Sequence, residues 1–309
     1  MRTSGAYLFR RLWQSMFTLV GLSLVLFVLL RLSGDPVRLM APVDTSAAEL
    51  ETLRAAFGLD RPLPEQYWRF MSRAVVGDFG VSIRSSQPVL GLALDRLPAT
   101  GALALAALAM ALIVAFPLGI LAATHRNTWI DRALMGVTLI GQSVPVFWLG
   151  ILLIFVFAVN LQLLPATGAR DGVRSLILPA ITLGMFMMAR TARLLRSELL
   201  EVLGADYIRT ARAKGLRNRV VTWRHAVRNA LIPLVTLIGL DLGALLAGAV
   251  ITETIFAWPG LGRLALDAIN GRDFPVVQGV VFVTSITYLV INLFMDVLYV
   301  LLNPRIRLV

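Results

Sequence analysis

The sequence predicts an all-α, polytopic membrane protein with six transmembrane helices, both termini in the cytoplasm, and a short cytoplasmic helix between the fourth and fifth spans. Three observations carry this expectation. Apolar residues make up 58% of the chain and mean hydropathy is +0.78, above the roughly half-apolar composition of soluble domains. The surplus lies in long uncharged runs, several close to the roughly 20 residues that cross a bilayer. The net charge of +11 is concentrated in alternate connections between those runs, a pattern that membrane topology explains better than binding to nucleic acid.

The first run, Leu12–Leu30, follows Arg10 and Arg11. It is too long for a signal-peptide core, and no clean small-residue cleavage site follows, so it reads as a retained helix. Residues 31–96 form a long loop with eight positive and eight negative side chains. Within it, TSAAELETLRAAFGLD has helical spacing with a glycine stop at Gly58. PLPEQYWRFMSRAVVGDFG begins with prolines and sets Tyr67, Phe70, Met71 and Val75 on one helical face. Both segments predict short helices lying on the outer membrane surface or packed on the bundle.

The second span is Leu97–Thr124 and the third Ala133–Gly168. In the third, Gln142 and Ser143 precede Pro145, a polar patch that suits either substrate contact or a proline kink. The fourth uncharged run, Ser175–Ala189, has only 15 residues. Arg190 and Arg193 extend it if they snorkel to the headgroups and let the helix continue into water. The fifth run, Asn229–Thr252, is broken by Asp241, and the sixth, Phe274–Asn303, contains Asp296. Residues 190–228 carry ten positive and three acidic side chains, whereas Glu253–Asp273 is near neutral. The positive-inside rule therefore places both termini and residues 190–228 in the cytoplasm. No repeat or second soluble domain is visible, so residues 1–309 read as a single membrane domain.

The 190–228 segment contains DYIRTARAKGLRNRVVTWRHAVRNALIPL and the only lysine of the chain, Lys214. Asp206 suits an N-cap and Gly215 the position just past a helix end. Arg212 and Lys214 lie where the dipole favours cations, and Ala211 and Ala213 are small enough for a partner surface to approach. Enforcing topology needs only a few arginines, and anionic lipid predicts scattered charge on one amphipathic face. A capped two-turn helix between two spans is better suited to docking in a groove of another protein.

The same stretch resembles the cytoplasmic coupling loop of ABC importer permeases, in the form of the dipeptide, oligopeptide and nickel branch. SGDPV, GDFGVSIR, RLPAT, SVPVFWLGILL, LEVLGADYIRTARAKGL, ETIFAWPGLGRLALDAINGRDFPVVQG and NPRIR extend the resemblance over nearly the whole chain. It implies a single permease domain of the bacterial inner membrane, with residues 31–96 outside and residues 190–228 as the coupling loop. Asp206, Tyr207, Ile208, Arg209, Thr210, Ala211, Arg212, Ala213, Lys214, Gly215 and Leu216 would form the ATPase-coupling element. The partners it implies are a second permease, two ATPase subunits that bind ATP and Mg, and an extracytoplasmic binding protein. The general family loop has Glu-Ala-Ala where this chain has Arg209, Thr210 and Ala211, a variant the peptide branch is known for. Asp241 stands where a neutral polar residue such as Gln is expected.

The chemistry is as restricted as the topology is clear. ATP hydrolysis needs a glycine-rich loop ending in lysine, and Lys214 lies in RAKGL instead. Cysteine is absent, which removes disulfides and thiolate metal sites. His125 and His225 have no carboxylates at ligand spacing, so no catalytic, metal or cofactor residue is assigned to this chain. An acid inside a span is costly and draws a functional reading. Asp241 lies opposite the small-residue face of Gly239, Gly243 and Ala247. It is a candidate for the translocation path, with Gln142 and Ser143, or for a buried bond to a neighbouring helix. The competing class is an ion-coupled transporter or channel using Asp241 and Asp296, which predicts internal repeats and paired midplane charges.

Overall fold

A computed structural model describes residues 3–32, 46–56 and 58–302. The SGDPV stretch (33–37), the NPRIR tail (303–307) and the expected helix end at Asn303 lie outside them. Every regular element among the described residues is helical: α1 Thr3–Leu32, α2 Ala47–Ala56, α3 Leu63–Val75, α4 Val89–Thr124, α5 Trp129–Ser143 and α6 Val146–Leu153. The chain continues with α7 Val173–Gly204, α8 Asp206–Ala213, α9 Asn218–Val220, α10 Arg228–Ile255, α11 Leu261–Asn270 and α12 Phe274–Leu302. π-Helical segments Ile154–Asn160 and Val221–Val227 follow α6 and α9.

Four single helices are long and apolar enough to cross a bilayer: Phe9–Leu29, Val89–Thr124, Val173–Gly204 and Phe274–Asp296. Two further candidates are bent pairs, so the spans number four, or up to six if each pair counts as one. The expected third span is not a single helix: α5 and the helix from Val146 to Asn160 meet at 105°. Pro145 is the reason. Its ring disfavours helical geometry at the preceding residue and it has no N–H to continue the ladder, and Val144 is extended, at φ −79° and ψ 125°. The other pair bends by 51° between Asn218–Leu231 and Pro233–Gly243, again at a proline. The expected fifth span also runs further than its uncharged run, to Ile255.

The described residues pack as two compact units: those up to Pro98 with Gly260–Val290, and Ala99–Pro259 with those from Ile291 on. In the first unit α3 packs on α1. Phe27 is buried, with its ring 5.5 Å from Tyr67 edge-on and 6.5 Å from Phe70 in a stacked arrangement. The Tyr67 hydroxyl lies 2.9 Å from that of Ser23, which also approaches Met71 Sδ. Val75, expected on this face, is 78% exposed. The buried positions are Gln66 and Ala74, eight residues apart, and a further residue rotates Val75 roughly 100° away. α2 starts with a reciprocal cap: Glu49 N–H donates to Ser46 Oγ at 3.3 Å, and Ser46 N–H donates to Glu49 Oε2 at 3.0 Å. The backbone and hydroxyl donors of Ser46 hold the Glu49 carboxyl below its ordinary pKa. The buried Asp273 carboxylate accepts from the Ser82 hydroxyl at 2.5 Å and from the Ile83 N–H at 3.2 Å.

In the second unit α4 and α7 touch along a stripe of small residues, with Ala104, Ala107, Ala111 and Ala115 in one apolar cluster with Leu183, Met187 and Ala192. A Cβ added at Gly184 would lie 2.6 Å from the Ala107 carbonyl oxygen, so this helix crossing admits only glycine. Gly184→Ala would gain about 1 kcal/mol of helix propensity. A net loss of about 1–3 kcal/mol is nevertheless expected from overpacking. It is read as a lower thermal midpoint of the purified protein in detergent, and a raised midpoint would contradict the close crossing.

Candidate functional site

α8 follows α7 after one residue, Ala205, and has one buried edge. Ala205 is its N-cap, and no side chain caps it. Asp206 is therefore the first helical residue rather than the cap. Its carboxylate instead lies 3.5 Å from Arg209 and faces the positive end of the dipole. The far end closes as expected. Gly215 has φ +76°, its N–H donates to Arg212 O at 2.9 Å, and Leu216 N–H donates to Ala211 O at 3.3 Å, the two bonds of a Schellman turn.

The faces of α8 divide sharply. Ile208 and Ala211 are buried in a socket formed by Ile120 and Ala123 of α4, Leu195 and Leu199 of α7, Val221, Ala226 and Val227 of the π segment, and Ala230 and Leu234 of α10. Ala211 thus packs against this chain, correcting the expectation that it receives a partner. Asp206, Arg209, Thr210 and Arg212–Leu216 are exposed, including Ala213. Tyr207 is 44% exposed, and its hydroxyl accepts from Asn229 Nδ2 at 2.9 Å. An exposed polar ridge on an anchored helix suits contact with another protein.

The C-terminal half of α7 bears Arg190, Arg193 and Arg196, three residues apart and so on one side of the helix. All three bind neighbouring helices. Arg190 Nη1 donates to Asp241 Oδ1 of α10 at 2.9 Å. Arg193 donates to Gln142 Oε1 of α5. Arg196 grips Asp131 of α5 with two bonds, at 2.6 and 2.7 Å. The reason is desolvation: Asp241 is only 5% exposed, and a buried carboxylate requires a cationic partner. Its second oxygen is buried without a hydrogen-bond partner among the described residues. Ser143 is exposed, with its hydroxyl donating to Leu139 O at 2.9 Å. Asp241 and Gln142 are thus each tied to an arginine of α7, while the α8 residues form a separate site.

Two acids escaped the reading of the sequence. Asp131 is 3% exposed; the hint was Thr128, whose hydroxyl accepts from Asp131 N–H at 3.5 Å as a helix cap. Glu253, counted with an outer loop, is fully buried within α10 and accepts from the Thr100 hydroxyl at 2.6 Å. Its signal was an acid one residue past an apolar run. Among the described residues no group of three or more His, Cys, Asp or Glu side chains could hold a metal ion.

Bilayer-length apolar helices interrupted by a short basic helix, anchored on one edge and exposed on the other, define a membrane-embedded protein. The chain belongs to the family of binding-protein-dependent transport system inner membrane components, which residues 115–308 match, while residues 5–104 match the N-terminal family of the same membrane components. It is a permease subunit of an ABC importer and a multi-pass protein of the inner membrane. In this family ATP hydrolysis is carried by separate subunits. Among its relatives is the glutathione transport system permease protein GsiC of Escherichia coli strain K12, 43% identical over 302 residues that cover 97% of this chain and 98% of the relative. The protein of that name from Shigella dysenteriae serotype 1 is also 43% identical over the same coverage. The fold is similar to that of the MetNI methionine ABC transporter in inward-facing conformations, with TM-score 0.60, 20% identity, and coverage of 69% of this chain and 96% of that one. An amino acid ABC transporter solved with histidines aligns with TM-score 0.54 at 14% identity, over 68% of this chain and 93% of that one.

Proposed function

We propose that this chain is half of the translocation path of an ATP-driven importer for small peptides or peptide-like solutes. The observation that carries the reading is identity of 43% along essentially the whole length of permeases named for glutathione transport. In this reading the chain has six spans, with residues 1–309 as one permease domain, residues 31–96 outside and residues 190–228 inside. It pairs with a second, paralogous permease and receives solute from an extracytoplasmic binding protein. Two ATPase subunits supply ATP and Mg, and the exposed ridge from Asp206 to Leu216 seats in a groove of one of them. Closure of the ATPases would move α7 through α8 and switch the path between outward and inward access.

Asp241, Gln142 and Ser143 are the residues we assign to the path. Arg190 and Arg193 accompany the first two, so the layer carries both signs of charge. That combination suits a zwitterion, which brings an ammonium group and a carboxylate together.

Purification of the tagged chain from its own cells in mild detergent tests the assembly. Two ATPase polypeptides and a second permease are expected with it; a chain that stays alone after gentle crosslinking would refute the importer assembly. Topology has a clean test because the protein contains no cysteine. A single cysteine at Arg84 should react with a membrane-impermeant maleimide added to intact spheroplasts, and one at Lys214 only after permeabilisation. Reaction at both positions without permeabilisation would reverse the orientation of that loop.

A further inference from the structure

The socket that holds α8 draws on α4, α7, the 221–227 π segment and α10, and α5 contributes no residue to that cluster. Yet α5 bears Gln142 and Ser143 at its far end, before the 105° bend. Its near end is held by a buried carboxylate. Asp131 is 3% exposed and accepts from Arg196 Nε at 2.6 Å and Nη2 at 2.7 Å. The same carboxylate accepts Asn127 N–H at 3.0 Å, so it also fixes the turn that enters α5. At the far end α5 and α7 touch closely, where a Cβ on Gly141 would lie 3.2 Å from Met185 Sδ.

We infer that the Asp131–Arg196 pair is the tie at the near end of α5 which, with the Arg193–Gln142 bond at the far end, passes movement of α8 and α7 to α5 and so to Gln142 and Ser143. The inference rests on the reading of α8 as the ATPase-docking element. A two-point guanidinium–carboxylate contact resists rotation as well as separation, so α5 must follow α7 as a rigid arm. Asp131 and Arg196 are thus positioning residues for transport.

The test uses the complete importer in liposomes and measures solute moved per ATP hydrolysed. Asp131→Asn and Arg196→Gln should each lower that ratio by about tenfold, within the 5–150-fold span of typical coupling, while the ATPases still copurify and hydrolyse ATP. The exchanged double variant, Asp131→Arg with Arg196→Asp, should recover much of the ratio. Gly215→Val, which disrupts the turn ending α8, serves as the reference. If Gly215→Val lowers the ratio and the pair variants leave it unchanged, the connection is refuted but the docking reading stands. If Gly215→Val has no effect, the docking reading itself is refuted. Loss of copurification in the single variants, or no recovery in an assembled exchange variant, would make the pair a folding element and overturn the inference.

Discussion

Gly215→Val is expected to abolish most transport while ATP hydrolysis by the assembled importer continues. Gly215 has φ +76°, and apart from its chain neighbours no heavy atom lies within 4 Å of the position a Cβ would take. The substitution therefore acts on the backbone and not by collision. A β-branched residue in the left-handed region costs about 1–2 kcal/mol or more, and the chain can relieve it by unwinding the turn. Two bonds would be lost with it, Gly215 N–H to Arg212 O and Leu216 N–H to Ala211 O. The exposed ridge would then change shape while Ile208 remains in its socket. At least a tenfold fall in solute moved per ATP is expected, equivalent to about 1.4 kcal/mol of coupling. Gly215→Asn, which tolerates this conformation, should retain most transport. Equal transport in the valine variant and the parent would remove α8 from the coupling path.

The second large effect is expected at Asp241. If its buried carboxylate receives the ammonium group of a zwitterionic solute, Asp241→Asn should weaken that contact by about 1.5–3 kcal/mol, the usual worth of a charged hydrogen bond. Uptake of a free dipeptide would then fall by roughly ten- to a hundredfold relative to its N-acetylated form. Unchanged discrimination between the two would leave Asp241 as a helix tie only. Arg190→Gln separates the roles further. It leaves Asp241 buried without its cation, at about 3 kcal/mol, the low end of the usual range because the Arg190 side chain is 46% exposed and already partly solvated. Arg190→Gln combined with Asp241→Asn should restore much of the lost thermal stability without restoring discrimination.

Much of this architecture is written in short-range chemistry. Apolar runs announced the spans, and Gly215 announced the end of α8, because each depends only on neighbours along the chain. Pro145 and Pro233 lay within expected spans, but a sequence does not set the size of a bend. That depends on what packs around the freed backbone groups, and here the angles are 105° and 51°. The same limit explains Ala211. Helical periodicity shows which residues share a face, while the neighbour that covers the face comes from elsewhere in the chain. Arg190, Arg193 and Arg196 show the limit most clearly. Read alone, they belong at the edge of a span, because an unpaired arginine is driven to water or headgroups.

By itself, then, the sequence determined the all-helical membrane class, the short basic helix that follows α7 and the absence of cysteine chemistry. These follow from solvent partition and local backbone preference. Only the tertiary structure decided that three arginines turn inward, because their partners Asp241, Gln142 and Asp131 are 51 to 65 residues away. Burial makes a charge seek its opposite through space, and distance along the chain carries no record of that choice.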